Sequence, residues 1–298
     1  MSDPSWLWII FTVIAAAGQV LRNAMQRQLT TQLGTVGATH VRFLFGFPFA
    51  LLFLAAVLFV AHEPLPHPPQ AFWPWVLAGA LTQILATILM LATMTSRSFV
   101  ITTAYLKTEA IQVALFGFLF LGDVLSPLTI VAIIMATAGV MTMSLKPGGE
   151  KGGLGPTLLG LAAGGMFALS AIGYRGAILS LDLPDYVMAA TFTLAVGLVV
   201  QALLLTIYLL VKDRAVLMAI MREWRPSLLA GFTGATASQF WFLAFALATA
   251  ASVRTLALIE VLFAQAVSTF VFKQSTTPRE LAGIVLVVAG VVLLIWAH

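Results

Sequence analysis

Lys146-Pro147-Gly148-Gly149-Glu150-Lys151-Gly152-Gly153 is polar, basic and rich in helix breakers, and it stands almost at the midpoint of a 298-residue chain. Reading outward from it with a window of about 19 residues yields about ten apolar segments. Those before it run over 6–27, 36–61, 72–95, 98–121 and 125–145; those after it over 154–179, 184–211, 225–248, 251–272 and 278–297. A helix needs about 20 apolar residues to cross a bilayer, and each segment has roughly that length. The Pro64-Leu65-Pro66-His67-Pro68-Pro69 run separates the second segment from the third. Lys212-Asp213-Arg214 and Arg222-Glu223-Trp224-Arg225 bracket a short interfacial stretch. Other connections are only a few residues long, so sequential helices should be antiparallel neighbours with no room for an extramembrane domain.

Composition agrees. The chain is 61% hydrophobic and 9% charged with mean hydropathy +1.04, whereas a soluble domain carries about 25% charged residues. That excludes disorder, collagen, coiled coils and soluble α/β enzymes. With no cysteine, disulfides, thiolate chemistry and Cys-ligated metal sites drop out. His40, His62, His67 and His298 have no metal-ligand spacing, so neither a metal nor any other cofactor is expected. Net charge +4 comes without a basic block, which argues against nucleic acid and for basic loops beside a membrane. Residues Met1 to Trp6 lack a basic leader and read as the start of a mature first helix.

A polar seam at the midpoint invites self-comparison. A shift of 151 residues aligns Glu109 with Glu260, Pro127 with Pro278, Ile133 with Ile284, Trp73 with Trp224, and Ala138-Gly139-Val140 with Ala289-Gly290-Val291. A shift of 147 aligns Ala15-Ala16 and Gly18 with Ala162-Ala163 and Gly165. Holding a Glu, a Pro and a Gly in one register predicts a duplicated five-helix unit, residues 1–148 and 149–298, in one integrated membrane domain. Five is odd, so each unit ends on the side opposite its start and the copies are inverted. The expected fold is therefore all-α and polytopic, ten transmembrane helices as two inverted five-helix repeats. Secondary transporters share that plan and bind substrate near the midplane at the repeat interface.

Leu258-Ile259-Glu260-Val261-Leu262-Phe263-Ala264, Thr277-Pro278-Arg279-Glu280-Leu281-Ala282-Gly283-Ile284 and Ala289-Gly290-Val291, taken with the two halves, give the chain its family likeness. It resembles the drug/metabolite transporter superfamily, in its ten-helix EamA-type branch. Where that family often has proline after the mid-helix Glu, Ala110 and Val261 stand here; where it has Gly-Glu at the ends of the fourth and ninth helices, Gly122-Asp123 and Lys273-Gln274 stand. The resemblance implies export or exchange of small metabolites across the bacterial inner membrane, with amino-acid exporters of the YddG kind as a well-populated branch.

Polar residues at bilayer depth need a reason, because ionised groups there are expensive. On the first segment Gln19, Arg22, Asn23 and Gln26 share a face, lining either substrate or a helix contact. On the fourth, Thr102, Tyr105, Glu109 and Gln112 form a second stripe. Glu109 is too deep to snorkel and must be protonated, paired or hydrated. Lys107, two residues away, points off that face, so a cation from another helix, such as Arg22 or Arg42, is the expected partner. Proton coupling, capture of a substrate ammonium and a structural ion pair all remain open for Glu109. Its mate Glu260 has the apolar Val253, Leu256 and Phe263 as stripe neighbours, and could share a proton or bond across the repeat interface. On the third segment Gln83, Thr87 and Met90 correspond by the shift to Gly234, Ser238 and Trp241. Gln19, Arg22 and Asn23 likewise correspond to Met166, Leu169 and Ser170. A shared cavity would thus have a charged side and an apolar, aromatic side. The expected substrate-binding set is Gln19, Arg22, Asn23, Gln83, Tyr105, Glu109, Gln112, Ser238, Trp241 and Glu260, suited to a small zwitterion. His40, Arg42, Arg97, Tyr174, Arg175 and Arg254 are expected near membrane faces, and Gly160-x-x-x-Gly164 as a close-packing motif. Basic residues crowd the odd-numbered connections, which by the positive-inside rule puts both termini outside, against the family's habit.

The leading functional expectation is a secondary transporter, not an enzyme, exporting amino acids or similar amphipathic metabolites by alternating access. No phosphate-binding P-loop is present to support ATP use. A lipid or lipid-carrier translocase is the alternative. No Gly-x-Ser-Gly or Gly-x-Gly-Asp motif supports an intramembrane protease. The partners expected are the small-molecule substrate and the lipid bilayer, with a monomer as the simplest assembly.

Overall fold

The computed structural model describes residues 6–96, 99–144, 154–262 and 277–297, and every element among them is a helix. In chain order these are α1 (Leu7–Leu44), α2 (Phe47–Ala61), α3 (Phe72–Ser96), α4 (Phe99–Leu106) and α5 (Glu109–Phe116). Then come α6 (Pro127–Ser144), α7 (Leu154–Ser180), α8 (Tyr186–Lys212), α9 (Arg214–Arg222), α10 (Trp224–Leu247), α11 (Ala250–Leu256) and α12 (Pro278–Trp296). Arg97, the midpoint loop with Lys151, Phe263 and Lys273-Gln274 lie outside the described residues.

Helices fall where the apolar segments are, but several segments are broken. The expected loop over 28–35 is helical except at Gly34, whose φ of 66° and ψ of 177° turn the chain where a side chain would be strained. Gln26 Nε2 donates to Ala38 O across that break at 3.1 Å. The second segment is interrupted at Phe45-Gly46, and Pro48 sits in the first turn of α2, where its missing N–H costs nothing. The fourth is interrupted at Lys107-Thr108, where N–H groups reach back three residues: Thr108 N to Tyr105 O at 3.3 Å and Ala110 N to Lys107 O at 3.4 Å. In the ninth, α11 passes into a 3₁₀ turn, Ala257–Ile259, just before Glu260. Helix continuity therefore fails immediately ahead of both repeat-matched glutamates. The stretch between the charged clusters 212–214 and 222–225 is α9, a short helix whose Ile220 is buried and whose Met218 and Met221 are exposed.

The surface is rich in large apolar side chains, and several charged and polar groups lie buried in the apolar interior. Leu52, Phe59, Phe118, Ile134, Leu158, Ile207 and Val285 are exposed, while Arg22, Gln26, His40, Arg42, Glu109 and Glu260 are buried. Six stretches of described helix are long and apolar enough to cross a membrane. This is an all-α polytopic membrane protein.

Main packing pairs are α3 with α7, α1 with α10, and α6 with α12. Lipid tails give no hydrophobic gain for helix association, so close backbone contact carries these seams. At Gly139 on α6 a Cβ would fall 2.7 Å from Gly283 O and 2.7 Å from Val287 N. At Gly290 on α12 it would fall 2.7 Å from Ala136 N and 2.9 Å from Ala132 O. The two contacts are reciprocal under the 151-residue shift, as contacts across a two-fold axis are. Gly160 and Gly164 of α7 pack on Tyr105 and Thr108, the close packing expected of their motif.

Candidate functional site

A cavity of about 100 Å³ lies where the broken helices meet. Its polar lining is Gln19, Arg22, Asn23, Thr103, Lys107, Glu109, Arg254 and Glu260; its apolar lining includes Met90, Leu106, Phe167 and Val261. One water needs roughly 10–15 Å³ on this scale, so the space holds several waters or the head of a small solute. A narrower pocket adjoins it, sharing Gln19, Arg22, Phe167 and Arg254 and adding Arg42, Gln83, Tyr174, Ser238, Trp241 and Phe245.

Two ion pairs cross the cavity, each joining the first half of the chain to the second. Lys107 Nζ binds Glu260 Oε1. Arg254 Nε lies 2.9 Å from Glu109 Oε1, a Coulombic contact without hydrogen-bond alignment at those atoms. All four residues are at least nine-tenths buried. The Arg254 guanidinium also lies 4.3 Å from the Trp241 ring centroid and 5.4 Å from that of Phe245. Those ring faces support a weakly hydrated planar cation.

Arg22 is 2% exposed, and its Nη2 and Nε donate to Asn23 Oδ1 at 2.9 and 3.3 Å. Arg42, also 2% exposed, donates to Thr87 Oγ1 at 3.4 Å and Ser238 Oγ at 3.3 Å. Both stems run past Gly234 of α10, where a Cβ would stand 3.2 Å from Arg42 Cγ and 3.4 Å from Arg22 Cδ. Glycine there makes room for two arginines to cross one helix face. Gln83 Oε1 accepts from Gln201 Nε2 at 2.9 Å, which fixes that amide at the pocket's edge.

Of the residues expected at the site, Gln19, Arg22, Asn23, Glu109 and Glu260 line the main cavity, and Gln83, Ser238 and Trp241 line the adjoining pocket. Tyr105 and Gln112 line neither. Tyr105 packs on Gly160 and its Oη accepts from Thr157 Oγ1 at 3.2 Å; Gln112 packs on Gly165 and donates to Thr108 Oγ1 at 3.1 Å. The single stripe through Thr102, Tyr105, Glu109 and Gln112 assumed an unbroken helix. The interruption at Lys107-Thr108 parts Glu109 from Thr102 and Tyr105 and lets Lys107 line the same cavity, while Gln112, on the same helix as Glu109, turns to Gly165 of α7.

The partner of Glu109 is a cation from another helix, as expected, but it is Arg254 and not Arg22 or Arg42. His40, Arg42, Tyr174 and Arg254, expected near membrane faces, are buried inside the protein. Distance from the end of an apolar run measures depth only for a long straight helix, and α11 is a short one with every residue buried among neighbours. His40 meets Thr206 at 3.0 Å. Arg175 bridges Asp123 at 3.5 Å and donates to Phe245 O and Ala248 O at 2.8 and 2.6 Å, a tie at the end of α10 outside the cavity. Sequence reasoning missed Lys107 and Arg254 as cavity residues. Their signal was present, since each is a cation close to a repeat-matched glutamate.

Fold and site together define an integral membrane protein whose helices enclose a buried, ion-paired cavity. Residues 6–145 match the EamA-like transporter family. A crystal structure of a protein superposes with TM-score 0.70 at 14% identity, covering 97% of this chain and 99% of that one, a likeness of fold alone. No curated protein is matched.

Proposed function

We propose that the chain is a secondary transporter of the bacterial inner membrane that exports small amphipathic metabolites, amino acids among them, by alternating access around this cavity. The observation that carries the reading is the enclosure of five ionisable side chains, from both halves of the chain, in a cavity between helices. Charges inside a membrane protein mark substrate or ion pathways by default. Two inverted five-helix repeats, 1–148 and 149–298, are supported by the reciprocal glycine contacts of α6 and α12 and by the crossed ion pairs. The family match ends at residue 145, the end of the fifth apolar segment, as a single-repeat unit would. In an alternating-access cycle the cavity's ion pairs hold the halves together in one state and must part or re-pair in another. A substrate drives that change only through contacts that differ between the two states. Small volume and five ionisable groups in the lining favour a metabolite over an acyl chain.

Glu109 is the group assigned to proton coupling. In proteoliposomes, Glu109→Gln should stop flux or remove its dependence on the pH gradient. Wild-type flux with unchanged pH dependence would exclude Glu109 from the mechanism.

A further inference from the structure

The cavity's charges do not balance. Arg22, Lys107 and Arg254 line it against only Glu109 and Glu260. Both carboxylates are taken, Glu260 by Lys107 and Glu109 by Arg254 at 2.9 Å. Arg22 is left over. It is 2% exposed, and among the described residues its hydrogen bonds go to a neutral amide, Asn23, with no carboxylate at ion-pairing distance. The adjoining pocket adds a further cation, Arg42, held by the hydroxyls of Thr87 and Ser238. A buried cation with no carboxylate in direct contact is poorly compensated, and a protein keeps one where it meets its opposite in function.

We infer that the cargo is a small organic anion, a carboxylate carrying an apolar body and no ammonium group, and that Arg22 takes its charge. The inference rests on the transporter reading and narrows it. An amino acid would bring an ammonium for which no free carboxylate remains, whereas the corresponding 2-oxo acid brings only the anion. A guanidinium presents paired N–H donors that match a planar carboxylate. Met90, Leu106 and Phe167 form the apolar wall for the body. Protonation of Glu109 or Glu260 would widen the positive excess, so uptake of a proton and of the anion into the cavity favour each other.

The test compares matched compounds on the full-length protein: pyruvate and phenylpyruvate, alanine and phenylalanine, ethylamine and phenethylamine. Each is assayed by counterflow in proteoliposomes and by ligand-induced thermal shift in detergent. At least one oxo acid should exchange and raise the melting temperature, at least about tenfold better than its amino acid, with no response to the amines. Arg22→Gln should weaken that binding by about thirtyfold, and Arg22→Lys by less, since it keeps the charge but not the fork. Equal or better response to an amino acid or amine overturns the anion assignment while leaving the transporter intact. An Arg22-dependent thermal shift without counterflow upholds the anion site and overturns transport. Failure of both oxo acids in both assays on the wild-type protein overturns the inference.

Discussion

Glu109 and Arg254 meet at 2.9 Å, Oε1 to Nε, with the guanidinium carried over the Trp241 ring. The contact ties a helix of the first half to one of the second at the wall of the cavity, and Lys107 with Glu260 makes the complementary tie. Each carboxylate takes its cation from the other half of the chain, so the pairs hold the halves against each other at the cavity.

Removing one member of such a pair leaves the other charge buried and uncompensated. Arg254→Gln should destabilise the protein by about 3–5 kcal/mol, and the double variant with Glu109→Gln should recover a large part of that. Thermal melting of the purified protein in detergent measures both. An additive double variant would mean that the two residues do not interact.

Arg22 predicts the opposite sign. Because among the described residues no carboxylate lies at ion-pairing distance from it, Arg22→Gln should stabilise the substrate-free protein by about 1 kcal/mol, a rise in melting temperature of roughly 2–4 °C. A fall in melting temperature would mean that Arg22 is a structural tie.

Tyr105 and Gln112 lie on the α7 seam and outside both pockets. Tyr105→Phe gives up the hydrogen bond from Thr157, about 1 kcal/mol, and should leave transport rates within about twofold. The same holds for Gln112→Ala. A large change in substrate affinity in either variant would return these residues to the site.

The α6–α12 seam is a test of packing alone. Gly139→Val places a side chain against backbone atoms 2.7 Å away and should cost about 1–3 kcal/mol or more. Gly155→Ala, with nothing within 4 Å of its Cβ, should be neutral or slightly stabilising. Parallel melts of the two variants separate crowding from a general intolerance of change at glycine.

Much of this protein is written locally. Spans of about 20 apolar residues must be membrane helices, because an unpaired backbone cannot lie in hydrocarbon, and that argument needs no knowledge of neighbours. The register linking Glu109 to Glu260 and Gly139 to Gly290 is likewise a property of the chain, and it pointed to two carboxylates of the cavity and one helix seam. Periodicity erred where it assumed a straight helix. The interruption at Lys107-Thr108 is not announced by Gly or Pro, and it leaves Tyr105 on α7 while Lys107 and Glu109 line the cavity.

What only the tertiary structure decided is which charge meets which. Hydropathy says that a buried carboxylate must be compensated, but the compensating cation can come from any helix that packs alongside. Helix packing in the membrane is set by small-residue seams such as Gly139 with Gly283 and by the kinks that aim each segment. Glu109 therefore found Arg254 rather than Arg22, and the surplus positive charge of the cavity emerged from that choice of neighbours.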